Sequence, residues 1–273
     1  MTVRRMSLPD VRRLLDWAAV EGWNPGLDDA EAFYESDPDG FFLKEVDGTP
    51  VAAISVINHT ADFAFLGLYI ATPQARGKGH GLDVWAAGIA HAGRRTIGLD
   101  GVPAQQANYA RSGFKLAGKT VRYHGRLDRS AASSVRLAAA QDLDRLCHLD
   151  TRACGVSRNR FATRWFSNTQ TRMTLSLPED RGFATYRTCH EGIKIGPFYA
   201  SSAPEAAALL AAVPQNMATE SVYIDIPDTA APLSALLIER GFTPVFETAR
   251  MYRPLLPQLP RPAFYATATL ELG

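Results

Sequence analysis

The sequence has few cysteines, and their arrangement suggests neither a disulfide framework nor a metal site. Its 273 residues include three of them, Cys147, Cys154 and Cys189, an odd number whose spacings match no zinc-binding motif. We therefore expect no bound metal. We interpret the three thiols as small buried side chains that a reducing compartment keeps free.

The sequence also lacks an excess of charge and a long hydrophobic run. Lysine and arginine total 29 against 28 acidic residues, so a net charge of +1 gives no overall field to attract nucleic acid or an anionic membrane. No apolar stretch reaches the roughly 18 to 20 residues that a membrane span needs, and the N-terminal segment does not have the pattern of a signal peptide. These features predict a cytoplasmic globular protein with no nucleic-acid or membrane partner, built as one large domain or two small ones.

A cluster of glycines stands where a predicted strand becomes a predicted helix. Apolar residues alternate over residues 66–70 and recur at helical spacing over residues 82–90. Between them stand three glycines and two basic residues: Gly77, Gly79, Gly81, Arg76 and Lys78. Glycines let the backbone approach a ligand with positive φ, and the first turn of a helix offers unpaired N–H groups to phosphate. The pattern favours a diphosphate-binding loop, with an ordinary turn as the alternative.

The loop fits neither of the best-known glycine motifs. The P-loop pattern is absent, and the third-glycine spacing of the dinucleotide fingerprint is missing. The pattern Arg76-x-x-Gly79-x-Gly81 after a strand instead resembles the acetyl-coenzyme A (acetyl-CoA) loop of the GCN5-related N-acetyltransferases. Downstream, Asn108-Tyr109-Ala-Arg-Ser-Gly113-Phe114 is similar to the end of that family's fourth helix. The resemblance implies an α/β fold with a mixed sheet and acetyl-CoA as co-substrate.

Several segments recur at an offset of about 130 residues, which indicates an internal duplication. Residues 97–100 are echoed by 222–225, and residues 112–114 by 240–242. We predict two tandem acetyltransferase-like domains, a polar linker over residues 128–134, and a C-terminal extension: the domains are residues 1–128 and 134–256, and the extension is residues 257–273. The resemblance to the family thus extends over nearly the whole chain.

The second half departs from the family at the glycine loop. Where the loop should follow Tyr199, residues 200–206 contain neither glycine nor a basic residue, so we expect this half to bind no diphosphate. The C-terminal extension is proline-rich over residues 254–262 and then alternates like a strand over residues 264–272. Such a strand would seal the monomer or join two chains, and the sequence leaves the oligomeric state open.

The resemblance assigns roles to residues of the first half. The loop backbone would bind the pyrophosphate, the strand would bind the pantetheine amides and polarise the thioester carbonyl, and Asn108 would help to hold the cofactor arm. The cofactor-binding residues are then Leu68, Tyr69, Ile70, Arg76, Gly77, Lys78, Gly79, His80, Gly81 and Asn108. Tyr109 would be the general acid that protonates the leaving thiolate. Packing of the Tyr109 ring in the core and capping of a helix by Asn108 are the structural alternatives.

The acceptor side is less defined. No general base stands out among Asp62, Asp100 and His80, and water relays the amine proton in many family members. Trp23, in a loop between the first two helices, is interpreted as a lid over the acceptor or as an anchor of its own loop. Tyr199 and Asp225 are hypothesised to line a substrate cleft between the halves.

Together these observations predict an N-acetyltransferase. It would move acetyl from acetyl-CoA to an amine of a small molecule or a protein by direct attack in a ternary complex. The alternative is a non-catalytic CoA-binding regulatory module, in which the loop is intact and no acetyl group is transferred.

Overall fold

The computed structural model describes residues 2–127, 134–213, 221–254 and 262–273. In the first half the elements are β1 (Thr2–Arg5), α1 (Leu8–Val20), α2 (Asp29–Ser36), β2 (Phe41–Val46), β3 (Thr49–Asn58), β4 (Phe63–Ala71), α3 (His80–Ala92), β5 (Thr96–Gly101), α4 (Gln106–Arg111) and β6 (Lys115–Gly125). In the second half they are β7 (Arg136–Leu137), α5 (Leu143–Cys154), α6 (Asn159–Phe166), β8 (Arg172–Ser176), β9 (Gly182–Thr188), β10 (Ile193–Ala200), α7 (Ala203–Ala212), β11 (Val222–Pro227), α8 (Ala231–Glu239), β12 (Thr243–Arg253) and β13 (Phe264–Ala266). The mixed α/β class predicted from the sequence is confirmed.

The same contacts precede the first helix of each half. Asp10 accepts a hydrogen bond from the Ser7 N–H at 3.0 Å and pairs with Arg4 at 2.7 Å. Asp142 accepts from the Ala139 N–H at 2.8 Å and pairs with Arg136 at 2.7 Å. In each case the arginine lowers the pKa of the carboxyl group. The repeated contact supports the internal duplication inferred from sequence offsets.

The described strands form a single continuous sheet in the order β1-β2-β3-β4-β5-β12-β6-β11-β10-β9-β8-β7, with β13 paired to β10. The last long strand of each half lies in the other half's part of the sheet. β12 pairs with β5 through Ala249–Arg253, and β6 pairs with β11 through Thr120–Gly125. β6 and β12 also pair with each other, so the sheet runs across the predicted division between the halves. The predicted linker itself falls mainly on residues 128–133, outside the described residues.

Helices cover both faces of the sheet. On one face of the first half, α3 and α4 bury a core that includes Val84, Ile54 and Leu99. On the other face, α1, α2 and α6 bury a core around Leu14, Phe33 and Trp165, to which both halves contribute. Two further cores, which include the apolar faces of α5 to α8, lie in the second half. No helix among the described residues is long and apolar enough to cross a membrane.

The C-terminal extension differs from the strand expected over residues 264–272. Only Phe264–Ala266 form a strand, and residues 267–272 continue as an irregular, mostly buried segment, here called the tail. The reason lies in Thr269, whose hydroxyl accepts hydrogen bonds from the N–H groups of Glu271 and Leu272 at 3.2 and 2.9 Å and turns the chain out of the extended conformation. The proline-rich residues 255–261 lie outside the described residues.

His59 holds the tail and makes its stability depend on pH. Its Nε2 lies 2.8 Å from the Leu272 carbonyl oxygen, and burial lowers the pKa of the imidazole to about 4. Between pH 6.5 and 4 the unfolded chain binds a proton at His59 that the folded chain does not bind, so we expect the free energy of unfolding to fall by about 1–3 kcal/mol over this range.

Thermal unfolding at a series of pH values tests this expectation. His59→Asn should be less stable than the native protein at pH 7, and the difference should shrink towards pH 4. A change of the exposed His148 to Asn provides the control. Parallel stability curves for the native and His59→Asn proteins would contradict the prediction.

Candidate active site

A gap opens in the sheet between β4 and β5. The two strands pair in parallel only from Phe63↔Thr96 to Leu66↔Leu99, so residues 67–71 of β4 have no strand partner on that side. Leu68 has a φ of 47° at a register shift against β3, which marks a β-bulge that bends the strand at the end of the pairing. Beyond Leu66 the backbone of β4 therefore faces the gap without a strand partner, and the Ala71 carbonyl oxygen accepts a hydrogen bond from Arg76 at 3.1 Å.

The glycine loop lies at the open end of this gap. Gly77 and Gly79 have φ values of 75° and 82°, which confirms the positive φ predicted for them, and Gly79 caps α3 without a side-chain hydrogen bond. Gly81 is instead helical. A Cβ there would lie 2.6 Å from the Tyr69 hydroxyl, so the glycine makes room for this side chain. The loop thus places the start of α3 against Tyr69 of β4, at the open end of the gap.

A cleft of about 620 Å³ joins the gap and the loop. The predicted site residues that line it are Leu68, Tyr69, Ile70, Arg76, Gly77, Gly79, His80, Gly81, Tyr109 and Trp23. Among the predicted cofactor-binding residues, Lys78 and Asn108 do not line it. Lys78 is exposed on the loop, and Asn108 is an exposed residue of α4 that bonds to Gln105 and Arg111 along its own helix. The structure thus brings most of the predicted cofactor site together.

Tyr109 is fixed at the wall of the cleft. Its ring stacks on Trp85 with 5.9 Å between centroids, and the residue is 7% exposed. Burial, with a smaller contribution from Tyr69, raises the pKa of the phenol, so the hydroxyl is protonated at neutral pH. No hydrogen-bond partner occupies this hydroxyl among the described residues. Tyr109 therefore combines core packing of the ring with a phenol able to donate a proton.

The opposite wall comes largely from the second half of the chain. Phe246 and Thr248 reach the cleft because β12 lies next to β5, and Leu270 and Glu271 reach it from the tail. Arg122 on β6 completes this wall. These wall residues were not predicted from the sequence, because no local sequence pattern shows that the two halves exchange a strand. The only signal was the apolar alternation of residues 264–272, which gave no position for them.

Trp23 anchors its own loop and also lines the cleft. Its ring is half-buried against the core of the first half and also lines the cleft. Its carbonyl oxygen accepts hydrogen bonds from Arg122 at 3.3 Å and from Lys194 at 2.8 Å. The loop that carries Trp23 is therefore held in place by cations on two strands, β6 and β10.

Tyr199 and Asp225, the other two predicted substrate residues, lie away from the cleft. The Tyr199 ring packs against Phe183 with 6.0 Å between centroids. Asp225 is 6% exposed and forms a bidentate pair with Arg122 at 2.7 and 2.9 Å. Asp225 thus orients a wall residue of the cleft, while Tyr199 belongs to the core of the second half.

The three candidate bases named from the sequence lie in different surroundings. Asp100 is fully buried in a bidentate pair with Arg250 at 2.9 and 2.7 Å, which occupies both of its oxygens. Asp62 is exposed and does not line the cleft, and His80 lies within the glycine loop. None of the three faces the acceptor side as a free base.

The equivalent gap in the second half is filled by the chain itself. Pairing of β10 with β11 ends at Ile195↔Ile224, and beyond this point β13 pairs with residues 198–200 of β10. The backbone groups that would otherwise face a ligand are satisfied by this strand. This arrangement supports the expectation that the second half binds no cofactor. No cluster of three or more potential metal ligands occurs among residues 2–127, 134–213, 221–254 and 262–273.

Comparison with known proteins gives the family. Residues 8–114 match the model described as "Acetyltransferase (GNAT) family", and residues 146–265 match "Acetyltransferase (GNAT) domain". The holothin acyltransferase of Pseudoalteromonas sp. (strain SANK 73390) is 34% identical over 280 residues, covering 100% of this chain and 94% of the relative. The chain belongs to the GCN5-related N-acetyltransferase (GNAT) family. It is a tandem GNAT acyltransferase, as the duplicated sequence predicts.

Solved GNAT structures share the fold over the whole chain. A Pyrococcus horikoshii protein described as an acetyltransferase superposes with a TM-score of 0.82 at 21% identity, covering 100% of this chain and 95% of that one. A tandem GNAT protein from the clavulanic acid biosynthesis pathway superposes with a TM-score of 0.63 at 14% identity, covering 92% and 97%. Both coverages extend through the two halves, so the tandem arrangement itself is shared.

Gly67 tests the contact between β4 and the tail. A Cβ at this position would collide with the Glu271 carbonyl oxygen, so Gly67→Ala should displace the tail and lower the free energy of unfolding by about 1–3 kcal/mol. The measurement is denaturant unfolding of the native and variant proteins.

A shortened chain that ends after Leu270 is the control for this test. Without Glu271 the collision is absent, so Gly67→Ala should cost much less in the shortened chain than in the full one. Equal costs in the two chains would show that the tail contact is not the cause.

Proposed function

We propose that this GNAT protein is an acetyl-CoA-dependent N-acetyltransferase whose acyl donor binds in the gap between β4 and β5. The observation that carries the proposal is that the gap, the glycine loop and Tyr109 all line one cleft. A donor thioester and a proton source for its leaving group would then lie side by side. The acceptor enters from the wall that β12 and the tail supply.

The donor site suits a long molecule with a charged end and an amide-rich arm. N–H groups at the start of α3, with Arg76 beside them, offer hydrogen bonds and positive charge to a pyrophosphate. The unpaired backbone of residues 67–71 offers hydrogen bonds to amides such as those of pantetheine. A backbone N–H of this strand would also stabilise negative charge on the thioester oxygen during attack.

The chemistry follows from this placement. The acceptor nitrogen attacks the thioester carbon, the new C–N bond forms, and the C–S bond breaks as the thiolate leaves. Tyr109, held protonated by its buried position, would donate a proton to the thiolate sulfur. Direct attack in a ternary complex needs no nucleophilic side chain. This agrees with the three cysteines, which are buried in the structure and do not line the cleft.

We infer that the acceptor is a small molecule. The acceptor side is walled by Trp23, Phe246 and Leu270, which leaves limited space for a protein surface to approach. The relative that is 34% identical carries the name holothin acyltransferase, and holothin is therefore one candidate acceptor to examine. We propose a cytoplasmic location because the three free cysteines are typical of a reducing compartment.

Isothermal titration with acetyl-CoA tests the donor site. We expect one binding site per chain and its loss in Gly79→Trp, because the indole would fill the space above the loop. Gly241→Trp is the matched control, since Gly241 has a φ of 81° against 82° for Gly79, and an added Cβ meets no atom within 4 Å at either position.

The outcomes of the titration separate the alternatives. Two sites per chain would show that the second half binds the donor after all. No binding to the native protein would overturn the proposed function. Binding without release of free thiol from acetyl-CoA, in the presence of holothin, tyramine, benzylamine, spermidine or a lysine-containing peptide, would favour the non-catalytic CoA-binding module.

Tyr109→Phe tests the general acid. The variant keeps the ring that stacks on Trp85 and loses only the hydroxyl, so kcat should fall by about a hundredfold while the Kd for acetyl-CoA stays within about twofold of the native value. Thiol release and titration calorimetry provide the two quantities. Tyr123→Phe, at a similarly buried tyrosine outside the cleft, is the control. An unchanged kcat, or an equal loss of kcat and donor affinity, would remove the assignment.

A further inference from the structure

We propose that Glu271, on the tail, is the acceptor-side carboxylate of the cleft: it binds the ammonium group of a cationic amine acceptor and takes the proton that this group must lose before its nitrogen can attack. The inference rests on the proposed function and names a residue and a substrate class for it. It was not foreseen from the sequence, where Glu271 is one residue of an apparent strand.

The backbone of Glu271 is held in a fixed position. Its N–H and that of Leu272 both donate to the Thr269 hydroxyl, and its carbonyl oxygen lies against Gly67 on β4. Beyond it, His59 bonds to the Leu272 carbonyl oxygen at 2.8 Å and Arg158 bonds to Gly273. The side chain therefore starts from a well-supported part of the chain, beside the strand that would carry the thioester.

The Glu271 carboxylate has no hydrogen-bond or ion-pair partner within the part of the chain that the structure describes. The residue is only 6% exposed and lines the cleft. Neither carboxylate oxygen is fully enclosed by the surrounding atoms. The carboxylate therefore retains some exposed surface, and the cleft that the residue lines is where a ligand would reach it.

The other acidic residues of the cleft wall, unlike Glu271, have partners for their carboxylates. Three acids line the cleft among the described residues: Glu21, Asp100 and Glu271. Glu21 pairs with Arg76, and Asp100 forms its bidentate pair with Arg250. A buried carboxylate without a partner is costly, so its occurrence at a cleft is typical of a group that meets a charged ligand.

Cations also lie around Glu271. They suggest the alternative that the carboxylate has a structural role and takes no part in the reaction. Arg122 and Arg187 have close partners in Asp225 and Asp29, whereas Lys194 bonds, among the described residues, only to the Trp23 carbonyl oxygen. Burial, and then the charge of Arg122, lower the pKa of Lys194 to about 8, while Glu271 and Asp225 act in the opposite direction. A purely structural Glu271 would serve to offset the charge of Lys194.

The acceptor arrives as an ammonium ion and first gives one proton to the Glu271 carboxylate, which leaves a neutral amine. The amine nitrogen then forms its bond to the acetyl carbon, becomes acidic and releases its second proton to water. The C–S bond breaks, and the thiolate takes a proton from Tyr109. The products are an amide, a free thiol, a protonated Glu271, a deprotonated Tyr109 and one proton in water, and both side chains recover their original states by exchange with water.

Kinetics of Glu271→Gln test this role, with the amine that the native protein acetylates fastest as the probe. Gln has nearly the same shape and cannot accept the proton, so kcat/KM for the amine should fall by at least about a hundredfold with an unchanged Kd for acetyl-CoA. The remaining rate should rise with pH up to the pKa of the amine itself, because only the free amine can then react. Glu247→Gln, an exposed change on β12 outside the cleft, is the matched control.

A double variant distinguishes proton transfer from charge compensation. If Glu271 serves only to offset Lys194, then Glu271→Gln should be harmless in a Lys194→Met background, and that result would overturn the proposal. Continued loss of activity in the double variant, with the altered pH profile, supports it. If Glu271→Gln does not reach the native melting temperature, Glu271→Asp replaces it: a lower kcat/KM for the amine supports the role, and an unchanged value contradicts it.

Two different outcomes distinguish an error in the role of Glu271 from an error in the proposed function. A native protein that binds no acetyl-CoA, or acetylates none of the amines, removes the proposed function and this inference with it. A native protein that acetylates an amine, and a Glu271→Gln variant that does so equally well with the same pH profile, removes only the role of Glu271.

Discussion

The pairing of β12 between β5 and β6 is the constraint on which the rest of the structure depends. It joins two duplicated halves through antiparallel ladders on both sides of one strand, so the halves share a sheet and are not simply in contact across a surface. The same pairing delivers Phe246 and Thr248 to a cleft whose glycine loop belongs to the other half. The cleft is therefore built from residues of both copies of the duplication.

Buried ion pairs fix how the halves meet at this cleft. Arg187 lies 3.1 Å from Asp29, and Arg172 lies 3.1 Å from Asp28, so β9 and β8 hold the start of α2. Such pairs add little net stability, because removing both charges from water is costly. Their geometric requirements are strict, however, and here they determine the position of the loop that carries Trp23. The second half, which lacks the glycine loop, thus supports the loop that carries Trp23 at the cleft.

The structure places the glycine loop, the strand before it and Tyr109 together as the sequence predicts, whereas the residues of the opposite wall were not predicted, for a physical reason. The glycine loop, the strand before it and Tyr109 form one local unit, and the positive φ of Gly77 and Gly79 follows from their residue type. The bulge at Leu68 does not follow, because leucine rarely adopts a positive φ and only the surrounding sheet imposes it. The strand exchange and the position of Glu271 depend on pairing between residues more than a hundred positions apart. Local patterns carry no information about such pairs, and for the same reason they did not show that the strand expected over residues 264–272 ends at Ala266.

The placement of β12 and the tail also determines when the cleft can form during synthesis. Asp100 must wait for Arg250, and Gly67 must wait for Glu271, so the part of the cleft wall that β12 and the tail supply is absent until residues 243–271 have left the ribosome. Contacts of such long sequence separation form slowly, whereas the glycine loop and α3 need only their neighbours. The glycine loop and α3 can therefore form in a growing chain before this wall of the cleft is in place.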